Sequence, residues 1–281
     1  MATGPVLLLG LLCGASALPV DVGEPLYITP LIRAGKLEEA RHKSRVVGAP
    51  DGPDMGEAGF LTTDEETGKN MFYWYFEAQS GNKQAPLLVW LQGGPGGSSL
   101  FGLFSEMGPF ALDPLLHLVA RNSTWNKDYA MLFIDNPVGA GFSHTTDPEG
   151  YCKDTKQCVA SNLYSLLKQF YQLHAELQSL PLYITGESYG GHYVPGIGAY
   201  IVRENQKAGS DSGFVIPLAG IAVGDGWIDP VKQIAAYPEM MFGQGMISLA
   251  QRATIQSYCD RAIEKILVND MTGAFDVWDK M

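Results

Sequence analysis

Residues 180–198 read LPLYITGESYGGHYVPGIG: a short apolar run, then Gly186-Glu187-Ser188-Tyr189-Gly190, then a helix-like pattern. Gly-x-Ser-x-Gly between a strand and a helix is the sequence form of a nucleophile elbow. The serine sits on a sharp turn above the sheet, and the glycines permit the turn and close helix–strand packing. A serine hydroxyl is a poor nucleophile without a base. In hydrolases of this plan the order along the chain is serine, acid, histidine. The five histidines are His42, His117, His144, His174 and His192, and none follows His192. His192 lies four residues past Ser188, within the expected helix and facing away from the elbow top, so it is not expected to be the base.

Outward from the elbow, apolar runs that stop on turn residues recur. APLLVWLQGG (85–94), YAMLFIDNPVG (129–139), LYITG (182–186) and GFVIPLAGIAVGDG (213–226) each suit a buried strand. NMFYWYFEAQ (70–79) is aromatic-rich and suits a strand as well. Residues 18–58 look irregular, with one short helix near Gly35–Lys43. In SNLYSLLKQFYQLHAEL (161–177), Leu163, Leu166, Leu167, Phe170, Leu173 and Leu177 repeat at helical spacing, with His174 at the border of that stripe. Strands alternating with helices predict an α/β sheet covered on both faces. Working residues of such sheets gather at the carboxyl ends of strands. Gly93-Gly94, Asp135-Asn136, Ser188 and Gly224-Asp225 all fall at such ends.

After Pro230 the pattern turns helical, so the chain divides into a signal peptide (1–17), an α/β unit (18–230) and the start of a helical insertion (231–281). The signal peptide is read from the apolar core Val6–Leu12 and the A-x-A site Ala15-Ser16-Ala17. That core is well short of the roughly 20 residues a membrane span needs, so no membrane anchor is expected. Asn122-Ser123-Thr124 is an N-glycosylation acceptor in a chain entering the secretory pathway, with secretion or the lysosome as destination. The net charge of -11 argues against a nucleic-acid partner. Cys152 and Cys158 could close a short loop, leaving Cys259 unpaired once Cys13 leaves with the signal. No C-x-x-C or H-E-x-x-H pair occurs, so neither a metal nor a cofactor is expected.

An acyl-transfer serine needs donors aimed at the developing oxyanion. One is the N–H of the residue after it, Tyr189, and the glycines of QGGPGGSS (92–99) are placed to offer another. LLVWLQGGPGGSSLFGLFSEMGPF, MLFIDNPVGAGFS, LYITGESYGGHYVP and GIAVGDGWIDP together resemble the signature blocks of the serine carboxypeptidases, in that family's order and spacing. PLYITPLIRAGKLEEAR and the Gln of WLQGGPGGSS are similar to its vitellogenic-like branch.

The resemblance implies an α/β-hydrolase fold that releases single residues from the C-termini of peptides or proteins. It makes Ser188 the nucleophile, the N–H groups of Gly94 and Tyr189 the oxyanion hole, and Gln92, Gly93, Glu106 and Glu187 the site for the substrate's terminal carboxylate. The family usually has Asn where Gln92 stands and Cys where Gly97 stands. It places the catalytic Asp and His in a C-terminal portion and marks Asp225 and Asp229 as structural. The fold is therefore expected to be incomplete at its C-terminus, with an exposed sheet edge open to association, a homodimer included. The alternatives are an inactive binding or protective protein on this scaffold, or an esterase or acyltransferase using Ser188. Physics adds one expectation. A substrate carboxylate meeting two glutamates is repelled unless Glu106 and Glu187 share a proton, which favours acidic pH.

Overall fold

The computed structural model describes residues 24–48, 54–208 and 214–281; the expected signal peptide, 1–17, lies outside them. Its strands are β1 (Glu57–Asp64), β2 (Lys69–Phe76), β3 (Leu87–Leu91), β4 (Phe110–Leu112), β5 (Leu118–Ala120), β6 (Ala130–Ile134), β7 (Leu182–Glu187) and β8 (Leu218–Gly224). Its helices are α1 (Thr29–Arg33), α2 (Leu37–Ser44), α3 (Ala160–Leu173), α4 (Gly190–Ala208), α5 (Pro230–Gly243), α6 (Leu249–Leu267) and α7 (Met271–Trp278).

Six strands form one sheet in the order β1-β2-β6-β3-β7-β8, and β4 and β5 form a separate hairpin. β6, β3, β7 and β8 run parallel, while β1 and β2 join antiparallel at one side. The runs LLVWL and AMLFI are buried along their whole length because side chains pack on both faces of these central strands. Alternate residues part to opposite faces. Leu87, Val89 and Leu91 join Leu132, Ile134 and Ile184 beneath α3 and α4. Leu88 and Trp90 join Met131 and Phe133 beneath Leu103, Met107 and Phe110.

Both faces of the sheet are covered, as expected, but by different elements. Helices α1 to α4 lie on the first face, whereas the second is covered by the turn and hairpin of residues 100–120. β8 departs from the expected buried strand: Ile221 is 49% exposed. β8 pairs only with β7, and the chain after it leaves the sheet to form helices with their own core of Ile234, Ile255, Cys259, Ala262 and Val277. An apolar run reports the character of a strand, not what covers it.

Local signals explain the element ends. Asp229 accepts the Lys232 N–H and Pro230 opens α5. Ser248 and Gln251 form a reciprocal capping box at α6. The α3 stripe Leu163, Leu166, Leu167, Phe170 and Leu173 is buried against the sheet, and His174 ends that helix with 0% exposure. The N-terminal segment is more ordered than its composition suggested. Tyr27 bridges Phe60, Arg45 bridges Glu57, and the five-residue α1 forms with Pro30 in its first turn, where a missing N–H costs nothing.

Candidate active site

β7 ends at Glu187 and α4 begins at Gly190, so Ser188 stands alone at the turn. Its φ of 52° is left-handed, a strained value for a residue with a Cβ. Its backbone is held from both sides: its N–H donates to Gly224 O at 3.1 Å, and its carbonyl accepts from Gly191 N at 2.9 Å and Trp227 N at 2.7 Å. Gly186 of the motif and Gly191 just after it are steric necessities. A Cβ on Gly186 would meet Leu91 O at 2.5 Å, and one on Gly191 would meet the Trp227 backbone at 2.6 Å. Gly93 is the closest visitor from β3's end, where a Cβ would lie 2.7 Å from Tyr189 N and 2.8 Å from Ser188 Cβ. Gly93→Ala is expected to push this loop off the elbow and cost about 1–3 kcal/mol, read as a lower denaturant midpoint.

Beside the elbow two carboxyl groups converge. Gln92 Nε2 donates to Glu187 Oε1 at 2.6 Å and to Glu106 Oε1 at 3.4 Å, while Gln92 Oε1 accepts from Trp90 Nε1 at 2.9 Å. The indole N–H therefore fixes which way the amide points. Glu106 Oε2 is buried without a hydrogen-bond partner. Burial first, then the charge of Glu187, pushes Glu106 up to about 7. Trp90, Glu106, Trp125, Thr185, Glu187 and Val223 line an open cavity of about 530 Å³ next to this pair.

Asp135, the acid at the end of β6, has a different task. Its carboxylate accepts from Ser98 Oγ at 2.6 Å, Ser99 N at 2.9 Å and Phe142 N at 2.8 Å, tying the Gly-rich loop to the loop after β6. Among the described residues, the N–H groups of Gly94 and Tyr189 and the Ser188 hydroxyl have no hydrogen-bond partner. The histidines lie elsewhere. His192 stacks on Tyr189 with ring centres 4.7 Å apart, and His117 pairs with Asp113. His144 contacts Tyr27, His42 sits on α2, and His174 is buried at the end of α3. Asp225 carries a left-handed φ of 39°, and Asp229 is the α5 cap. Cys152 and Cys158 are bonded, Cys259 is buried and free, and Asn122 is exposed.

A family model described as serine carboxypeptidase matches residues 50–278. The chain belongs to the serine carboxypeptidase family. A probable serine carboxypeptidase of Homo sapiens is 42% identical to it over 93% of this chain and 54% of that relative. The vitellogenic carboxypeptidase of Aedes aegypti is 43% identical over 83% of this chain and 48% of its own length. A venom serine carboxypeptidase of Apis mellifera is 40% identical over 93% and 55% respectively. The chain spans about half the length of the curated relatives it matches. Among solved structures, a prohormone-processing carboxypeptidase of Saccharomyces cerevisiae superposes with a TM-score of 0.68 at 25% identity, covering 83% of this chain and 58% of that one. The sheet order and the elbow at the end of β7 are thus those of an α/β-hydrolase fold. Trp90, which no sequence motif singles out, holds the Gln92 amide. It stands two positions before Gln92 at the end of the same strand run, so strand alternation could have paired them.

Proposed function

We propose that this chain carries the nucleophile, oxyanion donors and carboxylate-recognition site of a serine carboxypeptidase acting on peptide C-termini. The observation that carries this reading is the Glu106–Glu187 pair, bridged by Gln92 and placed one residue from Ser188. Ser188 Oγ attacks the carbonyl of the last peptide bond, and its proton goes to a general base. The C–N bond breaks as the leaving amine takes a proton, and water then releases the acyl group. The free N–H groups of Gly94 and Tyr189 receive the oxyanion. The terminal carboxylate sits against Gln92, Gly93 and the acid pair. With one proton shared by the pair, that proton is donated to the substrate rather than repelling it.

A second reading is favoured by the unpartnered Ser188 hydroxyl. None of the five histidines stands as its base, so residues 1–281 alone fit a binding or protective role on the same scaffold. An esterase or acyltransferase would use the same serine but would not need the acid pair. The secretory pathway is the compartment we assign, supported by the exposed Asn122 acceptor site and the Cys152–Cys158 bond. No helix among the described residues is long and apolar enough to cross a membrane.

The test compares a blocked dipeptide with its simple ester counterpart. Preference for the free-acid peptide supports the carboxypeptidase reading, and equal handling of an ester lacking the carboxylate supports the esterase. Trp90→Phe is a finer probe. Losing the indole N–H frees the Gln92 amide to rotate, and dipeptide affinity is expected to fall about 2- to 12-fold, the worth of one neutral hydrogen bond. An unchanged dissociation constant would remove Trp90 from this role.

A further inference from the structure

The buried charged cluster that the chemistry at Ser188 leaves unused is centred on His174. It lies at the opposite edge of the sheet, beside the start of β1 and the end of β2. The ring is wholly buried, its centre 4.5 Å from that of Phe170 and 4.8 Å from that of Tyr75. Its two nitrogens face two different carboxylates. Nε2 lies 3.4 Å from Glu57 Oε2 of β1, and Nδ1 lies 3.4 Å from Glu176 Oε1 in the turn after α3. Arg41 of α2 completes the group, with NH1 3.0 Å from Glu176 Oε1 and Nε 3.9 Å from Glu57 Oε1. Ser44 of α2 donates to Glu57 Oε2 at 3.1 Å. From β2 the remaining titratable neighbours are Tyr73 and Tyr75, both kept as neutral phenols first by burial. α2 thus meets the sheet and α3 through this charged junction as well as through the buried Ala40 and the partly buried Leu37.

We infer that His174 is a pH-sensitive clasp: protonated, it neutralises Glu57 and Glu176 together and holds α2 against the sheet, and on losing its proton it loosens that N-terminal segment. With a cationic ring the cluster holds two carboxylates against two cations. With a neutral ring, Arg41 alone faces both carboxylates, one of them buried, and a buried charge short of a partner is costly.

The direction follows from linkage. Burial works to lower the His174 pKa from 6.5, but the hydrogen bond to Glu176 and the close approach and charge of Glu57 outweigh it, so it stands raised. A raised histidine contributes fully below about 6.5 and loses that contribution as pH climbs through its folded value. Burial raises Glu57, yet contact with His174 and Arg41 leaves it net lowered, while the His174 hydrogen bond heads the causes that take Glu176 down to about 2. Their contributions are present above about 4.5 and fade below it. The clasp is therefore tightest in mildly acidic solution, the same side on which the Glu106–Glu187 pair holds its proton.

Thermal unfolding of the full chain and of His174→Gln, each at pH 5.5 and 8.5, tests this. Glu106 also favours acid, so the quantity read is the difference between the two proteins. The unaltered protein is expected to lose about 2–4 °C more than the variant between the two pH values. Parallel losses overturn the proposal. Should His174→Gln not fold, hydrogen exchange on the unaltered protein decides, after correction for the intrinsic pH dependence of exchange. Protection of residues 37–46 is expected to fall relative to α3 between pH 5.5 and 8.5, and equal changes in the two segments overturn the clasp.

Discussion

Residues 1–281 are expected to hydrolyse a blocked dipeptide about 10⁴- to 10⁶-fold more slowly than a serine carboxypeptidase with a complete triad. Ser188→Ala is then expected to lower that residual rate by less than about tenfold, and the unaltered chain is expected to resist labelling by a serine-directed fluorophosphonate. Serine and histidine act as a unit, so removing either costs nearly what removing both costs. The elbow presents Ser188 with its backbone fixed by Gly224, Gly191 and Trp227, but no histidine reaches its hydroxyl. What remains on the proposed reading is the pair of N–H donors of Gly94 and Tyr189 and the positioning of substrate. A loss of about 10⁵ or more on Ser188→Ala would show that a base does reach Ser188, and the binding-protein reading would fall.

Peptide affinity is expected to drop about tenfold per pH unit above pH 7 and to flatten in Glu106→Gln. Glu106, raised to about 7 by burial and by Glu187, is protonated below that pH and offers a donor to an incoming carboxylate. Above it, three carboxylates share one small site, and the proton that joined them is gone. Glu106→Gln keeps a donor at every pH and removes one charge, so its affinity should lose this dependence. The same linkage acts on the fold. The folded state holds a proton between about 4.5 and 7 that the unfolded chain has released, so stability falls as pH rises through that range. Glu106→Gln is therefore expected to unfold at a higher temperature than the unaltered protein at pH 8. Titration calorimetry with a blocked dipeptide, with thermal melts alongside, checks both arms.

Much of this architecture could be read from the sequence because the informative interactions are local. The glycines around Ser188 announce a turn whose tightness leaves no room for a Cβ, and the apolar runs 87–91 and 130–134 announce strands packed on both faces. What escaped was set by distant neighbours. Ile221 belongs to an apolar run of the same kind, yet β8 has a partner on one side only. In the sequence, His174 stands at the border of an apolar stripe. Its partners Glu57 and Arg41 come from β1 and α2, so a charged cluster was invisible in the helix that carries it. The site split the same way. Ser188 and Tyr189 follow from the motif, whereas the convergence of Glu106 on Glu187 was implied by family resemblance alone. Trp90 joins this group through the Gln92 amide, which is engaged at both of its ends.

Recognition of a peptide C-terminus can be measured without turnover. The dissociation constants of a blocked dipeptide and of its C-terminal amide are measured at pH 5.5 and 8.5. A charge-assisted contact between the acid pair and the terminal carboxylate predicts that the free acid binds about 10- to 100-fold more tightly than the amide at pH 5.5. That advantage should vanish at pH 8.5. Equal binding of acid and amide at pH 5.5, or an advantage for the acid that grows with pH, would contradict the reading of Glu106, Glu187 and Gln92 as the site that recognises a peptide's C-terminus.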